Sequence, residues 1–258
     1  MFIGQDKIVN ELNIMLPFIK DGENISVLFR APSGHGKTTL ALIMLKYLGI
    51  NNSFLYIPEE TTISIQENKR FHFIDEIHLL KNPEILYPYM DSKNYTFILA
   101  SNESGTLKEP LVNRSIQYIF EPYTRDQLIK MASHLIKNIG VGFCELLVDR
   151  CRGNPRVLKN ICRRLDFYMR SGYEINSENE LDNLLSDVLE IKKDGITNLE
   201  LTYLDYLRKV GGRASLLQIV SGIRLDESTI KREIEPLLLY LGKITISSRG
   251  REIINDNN

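Results

Sequence analysis

Three scarcities bound this chain before any motif is read. It has three cysteines, Cys144, Cys151 and Cys162, an odd number with no Cys-x-x-Cys spacing. That argues against a disulfide framework or a cysteine-held zinc, and for reduced cytosolic thiols. No run of eighteen apolar residues occurs, so no segment reads as a membrane-spanning helix. The opening MFIGQDKIVNEL has an acid by position 6 and no apolar core of signal-peptide length. Charge of one sign is also lacking: the formal net charge is −1, unlike that of a basic protein that coats nucleic acid. Any DNA contact must come from a local patch. There is no internal repeat and no low-complexity tract. What remains is ordinary globular composition over 258 residues, more than one typical core and fewer than two large ones. The expectation is a soluble, cytoplasmic protein.

Apolar, β-rich runs alternate with helical patterns through the first half: 25–29, 53–57, 71–75 and 95–100. Between the first two, Leu40, Ile43, Met44 and Leu48 repeat at helical spacing over 38–48, with Gly49 as a stop. Such alternation predicts an α/β fold with a parallel, doubly covered sheet. From Tyr123 onward the pattern turns helical: 125–138, 143–151, a helix capped by Asn154 with Pro155 in its first turn and running to about Met169, a loop over 171–180, and a helix over 181–191. After 192–195 come helices at 199–210, 215–221 and 227–241, the last with a kink expected at Pro236. A strand at 243–247 and a turn at 248–251 complete the layout of a winged helix. The predicted division is an α/β nucleotide domain (1–124), a helical lid (125–194) and a winged helix (195–258).

Ala31-Pro32-Ser33-Gly34-His35-Gly36-Lys37-Thr38 follows a strand and precedes a helix, as a phosphate-binding loop must. Gly34 and Gly36 let backbone N–H groups turn toward phosphate oxygens, and the helix adds its positive end. Lys37 would neutralise the β- and γ-phosphates and Thr38 would hold Mg²⁺, with His35 and Thr39 beside them. The usual first glycine is Ala31 here, which nucleotide binding tolerates if φ stays negative. Phe71-His72-Phe73-Ile74-Asp75-Glu76 ends a strand run in two acids, 38 residues after Lys37. Asp75 is placed for the Mg²⁺ shell and Glu76 to polarise the attacking water. His72 and His78 read as packing or surface residues, because no third metal ligand has a suitable spacing. Arg156 sits in a first helical turn, where a cation opposes the helix dipole, which favours a functional role.

With these residues in place the chain resembles the RuvB branch of the AAA+ ATPases, the Holliday-junction branch-migration motors, from Phe2 to Glu252. Phe2-Ile3-Gly4-Gln5 is similar to the family segment beside the adenine, which implicates Ile3. Phe73-Ile74-Asp75-Glu76-Ile77-His78 is close to the family's second acidic motif, and 84–90 to the helix after it. The resemblance implies that Asn102, at the end of the next strand, is the first sensor. It implies that Arg114, in Pro110-Leu111-Val112-Asn113-Arg114, is an arginine finger reaching a neighbouring subunit's γ-phosphate. Gly153-Asn154-Pro155-Arg156 resembles the second sensor, with Pro155 against the nucleotide. It further implies ATP and Mg²⁺ as ligands and a homo-oligomer, possible as a ring. The C-terminal unit is similar to the family's winged helix, whose arginines touch DNA phosphates. Residues 197–258 carry nine Lys or Arg against eight Asp or Glu, so only Lys243, Arg249 and Arg251 make a local patch. Protein contact is the other reading of that winged helix.

One departure stands out. The family inserts a long β-hairpin, which docks its partner RuvA, where this chain has only Asp91-Ser92-Lys93-Asn94. The same docking of RuvA is therefore not expected. Two enzyme readings share the site: a motor that moves duplex or branched DNA, and a clamp or helicase loader acting on a protein partner at DNA. A degenerate, non-hydrolysing scaffold fits least, because all the site residues are present. The motor is the favoured expectation.

Overall fold

The computed structural model describes residues 2–50, 54–56, 63, 65–92, 94–102, 107–136 and 139–254. The described residues fall into two compact units, 1–131 with 154–156, and 132–153 with 157–258.

The first unit is built on a five-stranded parallel sheet. Helix α1 (Asp6–Lys20) precedes β1 (Val27–Arg30), α2 (Lys37–Tyr47), β2 (Phe54–Tyr56) and β3 (Phe71–Ile74). Then come α3 (Tyr87–Asp91), β4 (Thr96–Ser101), α4 (Glu109–Asn113) and β5 (Ile116–Ile119), with α5 (Arg125–Leu135) leading out. The strand order is β2-β3-β4-β1-β5, so β1 lies between β4 and β5 with Arg30 level with Ser101. All pairings are parallel, as the strand–helix alternation predicts. Both faces are covered. Val27, Phe29, Phe73 and Ile98 pack with Leu12 and Leu16 of α1 and Leu40 and Met44 of α2. Leu28, Ile74, Phe97 and Leu99 pack on the other side with Ile77, Leu86 and Leu111. Alternate residues of β1 and β4 thus serve opposite faces, which is why these strands read as unbroken apolar runs.

Helix α1, the five-residue α4 and strand β5 escaped the sequence reading. Helix α1 carries its signal in Ile8, Leu12, Leu16 and Ile19, all buried at helical spacing. Strand β5 is an edge strand with only Tyr118 buried, too short and too exposed to show a pattern. Residues 53 and 57 of the expected second strand lie outside the described residues, as do 137 and 138 of the expected helix after Arg125. Helix α3 ends at Asp91 and β4 begins at Thr96, with no strand among the described residues between.

The second unit contains α6 (Val141–Val148), α7 (Pro155–Arg170, its first two residues grouping with the first unit) and α8 (Glu178–Asn183). Ser177 caps α8, accepting from Glu180 N, so the loop expected over 171–180 ends three residues early. The winged helix follows: α9 (Asn198–Lys209), β6 (Arg213–Ala214), α10 (Leu216–Ile223), α11 (Glu227–Thr229), α12 (Glu235–Tyr240), β7 (Ile244–Ser247) and β8 (Gly250–Ile253). Thr197 with Glu200, and Ser215 with Gln218, form capping boxes that start α9 and α10. Between α11 and α12 the chain stays helical through a π turn, Ile230–Ile234, with Glu235 N–H donating to Ile230 O. The helix thereby accommodates Pro236, which has no N–H to offer a regular ladder. Strand β6 adds a third strand to the wing, in the order β6-β8-β7. The boundary expected at 194/195 lies inside the second unit. Arg152 donates to Gly195 O at 2.7 Å and to the buried Glu200 at 2.8 Å, tying the lid helices to α9.

Candidate nucleotide site

The site grows from the C-terminal ends of β3, β4 and β1, three neighbours in the sheet. Crevices at such strand ends are where open α/β sheets bind ligands. Ala31 N–H donates to Ser101 O at 3.2 Å, fixing the start of the loop against β4, and Ala31 keeps a negative φ. Gly34 and Gly36 have φ of +85° and +93°. A Cβ on Gly34 would stand 2.3 Å from Asn154 Oδ1, so glycine is required there for close approach as well as for conformation. No side chain caps α2, which leaves its first N–H groups for an anion.

Lys37 is 5 % exposed, and its ammonium donates to Ala31 O at 2.7 Å and Pro32 O at 3.2 Å. Burial pulls its pKa below the usual lysine value, against the opposing pull of Glu76 and Asp75, while Arg156 pushes it further down. A buried ammonium held only by carbonyl oxygens, with two carboxylates and a guanidinium near it, is a cation placed for an incoming anion. Thr38 Oγ1 donates to Asp75 Oδ2 at 2.6 Å, and Asp75 Oδ1 accepts from Glu76 N at 3.0 Å. The hydroxyl and carboxylate expected to share a divalent cation are therefore adjacent and oriented.

Glu76 adopts a left-handed conformation, φ +52°, unusual for a residue with a side chain. Its Oε2 is buried without a hydrogen-bond donor among the described residues, and so is Oδ1 of Asn102. The nearest basic group to Oε2 is His78 Nδ1 at 3.5 Å. A buried acceptor left unsatisfied costs about 1–3 kcal/mol. Two of them beside a phosphate loop fit a ligand or water that brings donors.

Arg156 Nη1 donates to Ser33 Oγ at 3.0 Å, and Asn154 Nδ2 donates to Ser33 O at 3.0 Å. Asn154 Oδ1 accepts from Arg156 N at 2.9 Å, the cap expected of it, and Pro155 takes the first turn. Ser33 is thus the point on the loop that meets the 154–156 segment, a role the sequence did not reveal. Tyr123 Oη donates to His35 O at 2.9 Å, and Phe2 and Tyr123 both lie against Gly36. Ile3 is half-buried beside Phe2, and Thr39 is exposed in the first turn of α2. Burial lowers the pKa of His35, with Lys37 adding to the effect, so the ring is neutral at pH 7. Arg114 lies apart from this group. Asp91 holds it by two bonds, 2.8 Å to Nε and 3.0 Å to Nη2, and its guanidinium stacks 4.6 Å from the Tyr87 ring. Bonding to Arg114 holds the Asp91 carboxyl below its usual range. The arginine is presented at the surface by two neighbours.

In the winged helix the structure corrects one expectation. Arg251 does not face outward: Nε donates to Glu235 Oε1 at 2.7 Å and Nη2 to Oε2 at 3.3 Å. Tyr203 Oη donates to the same carboxylate at 3.0 Å. Glu235 is 3 % exposed, and a buried carboxylate needs compensation of this kind. Arg249 is exposed in the β7–β8 turn with no ion pair among the described residues, and Lys243 is half-buried at the start of β7. His72, by contrast, is a core residue as expected, fully buried and stacked 5.3 Å from Phe97.

A phosphate loop, two acids at the next strand end, an asparagine at the third and a C-terminal winged helix define a nucleotide-binding P-loop ATPase of the AAA+ class. Residues 1–110 match the family described as the Holliday junction DNA helicase RuvB P-loop domain, and 193–256 match the RuvB C-terminal winged helix domain. The Holliday junction branch migration complex subunit RuvB of Campylobacter hominis is 30 % identical over 98 % of this chain and 85 % of its own length. Its counterpart in Nitratiruptor is 29 % identical over 97 % and 86 %. The solved RuvB Holliday junction branch migration motor of Thermotoga maritima superposes with a TM-score of 0.75 at 25 % identity, covering 98 % of this chain and 93 % of that one. The chain belongs to the RuvB family. No described helix is long and apolar enough to cross a membrane.

Proposed function

We propose that this chain is an ATP-driven motor that moves branched DNA, working as a homo-oligomer with ATP hydrolysed where subunits meet. Its relatives are named as branch migration complex subunits, and the proposal carries that activity over. The observation that carries it is the pair of buried acceptors without donors, Glu76 Oε2 and Asn102 Oδ1, at the ends of adjacent strands beside Lys37.

In this reading the turns at Gly34 and Gly36 and the start of α2 receive the phosphates. Lys37 exchanges its two carbonyl partners for phosphate oxygens. Thr38 and Asp75 would hold Mg²⁺, which would supply positive charge against the phosphates. Glu76 accepts a proton from water as the water oxygen bonds to the γ-phosphorus and the bond to the bridging oxygen breaks, giving ADP and phosphate. Asn102 orients the water, Arg156 acts within the subunit, and Arg114 offsets charge in the neighbour's site. Ile3 and Pro155 flank the adenine, with His35 and Thr39 beside the phosphates. Lys243 and Arg249 meet DNA phosphates, giving weak, salt-sensitive, sequence-independent contact. Only Asp91-Ser92-Lys93-Asn94 stand in the sequence where the family inserts its hairpin, which supports a partner other than a RuvA-type one. Three buried cysteines without a Cys-x-x-Cys spacing support a reducing, cytoplasmic setting.

The test is steady-state ATP hydrolysis with no DNA, single strands, duplex and a four-way junction, alongside native mass. Stimulation by duplex or junction in an ATP-dependent oligomer is the expected result. Turnover indifferent to every DNA would overturn the motor and favour a loader acting on a protein.

A further inference from the structure

Behind the catalytic carboxylate lies a second layer that the reaction as written does not use. His78 follows Glu76 by two residues, in the 3-10 turn Ile77–Leu79, and its side chain is 7 % exposed. Its Nδ1 is 3.5 Å from Glu76 Oε2 and 3.4 Å from Ser101 Oγ. Ser101 is fully buried and immediately precedes Asn102. One imidazole nitrogen therefore stands between the base and the strand end that carries the first sensor. The ring nitrogen is within hydrogen-bond reach of Ser101 and lies beside Glu76 Oε2 without bonding it. Glu76 Oε2 accepts no hydrogen bond among the described residues, and the backbone of Glu76 is itself held in a left-handed conformation.

Resting on the hydrolytic role of Glu76 given above, we infer that His78 is a positioning residue for that base: its Nδ1–H, anchored at Ser101, closes on Oε2 when nucleotide and water are bound, so that Oε1 is presented to the attacking water. A base oriented by a third group is the general arrangement by which a weak carboxylate is kept in one rotamer, so that less freedom is lost on reaching the transition state. Nδ1 is then the ring nitrogen that carries the donated proton, and Ser101 is the anchor that keeps the ring in plane. It also links the Asn102 end of β4 to the base, so the two groups facing the γ-phosphate share a support.

The role separates from packing by the shape of the replacement. His78→Phe keeps the ring and removes the donor. His78→Asn puts an amide N–H close to the place of Nδ1, whereas His78→Gln puts it near Nε2. Expected is a kcat for ATP lower by on the order of tenfold in His78→Phe, with KM and the affinity for a non-hydrolysable ATP analogue within about twofold of wild type. His78→Asn recovers most of kcat and His78→Gln does not. Equal kcat in the Asn and Gln variants would overturn the inference, and so would an unimpaired His78→Phe. Should the Phe variant fail to fold by circular dichroism, the Asn and Gln pair decides alone. Glu76→Gln run in parallel distinguishes the two levels. Turnover surviving in that variant would remove the base itself, whereas turnover lost there but kept in every His78 variant would remove only the positioning role.

Discussion

Arg251→Ala is the substitution for which motif and structure disagree most sharply. Read as a wing arginine, it should weaken DNA binding and leave the fold intact. The structure places its guanidinium on Glu235, which is 3 % exposed and whose other partner is Tyr203. Removing one member of a buried ion pair costs roughly 3–5 kcal/mol, because the remaining charge stays buried. Here the Arg251 side chain is 15 % exposed and Tyr203 still donates to the carboxylate. The loss should lie at the lower end, about 3 kcal/mol. The sequence has no tryptophan, so urea unfolding is best followed by far-UV circular dichroism, with the loss appearing as a lower midpoint at unchanged slope. Glu235→Gln combined with Arg251→Met keeps an acceptor for Tyr203 and should recover most of the stability.

The DNA arm completes the experiment. Arg249→Ala should lower affinity and reduce the slope of log K against log salt by about 1, one phosphate contact fewer. Arg251→Ala, measured where it is folded, should leave that slope unchanged. Unaltered stability together with a reduced salt slope in Arg251→Ala would refute the structural assignment and return this arginine to the DNA.

Three more outcomes follow from the geometry. Lys37→Met should abolish nucleotide binding yet raise the thermal stability of the nucleotide-free protein by about 1 kcal/mol, since it removes a buried ammonium whose pKa burial has lowered; an unchanged or lower midpoint in a thermal scan would count against that strain. Arg114→Ala and Glu76→Gln should each be inactive but regain turnover when mixed, because about a quarter of the interfaces in a random mixed oligomer pair an intact base with an intact finger; no recovery in oligomers shown to be mixed would sink the shared site. Asp226 caps α11 through Thr229, and bonds from the Thr229 side chain and backbone depress its pKa to about 2. Its unfolded value is about 3.9, so the stability it contributes is fully present above that pH and is lost as pH falls toward 2. The stability difference between wild type and Asp226→Ala should therefore be largest at neutral pH and vanish near pH 2.

The sheet and the site's chemical groups were legible because both are written locally. Apolar runs of strand length, a glycine-bearing loop with lysine and threonine, and two acids at a strand end each lie within a few neighbouring residues. The groups that hold the chemistry in place were not legible, because their partners are remote in sequence. Ser33 meets Arg156 across 123 positions, His78 meets Ser101 across 23, and Asp91 grips Arg114 across 23. Arg251 is different, since a local signal was present. Ile253 is paired with the buried Ile244 and packs on the winged-helix core. Strand periodicity therefore turns Arg251, two residues earlier, toward the same inner face. A charge among residues that alternate inward should have been read as a buried pair in search of its acid.

Several costs in the first unit fall on residues of the site. Glu76 holds a left-handed backbone, which for a residue with a side chain costs roughly 1 kcal/mol. Its Oε2 and Asn102 Oδ1 are each an unsatisfied acceptor, and Lys37 is a cation out of water. They follow the C-terminal ends of β3 and β4 or begin α2, while the strands behind are packed on both sides by buried apolar residues. A core that stable can tolerate a strained edge, and strain that is relieved only when phosphate, cation and water arrive favours the bound and reacting states over the empty one. It follows that changes relieving it, such as glycine at Glu76 or methionine at Lys37, should make the protein more stable and less able to hydrolyse ATP. A ranking of site variants in which stability and turnover rise together would mean that the strain at this edge belongs to the fold and not to the reaction.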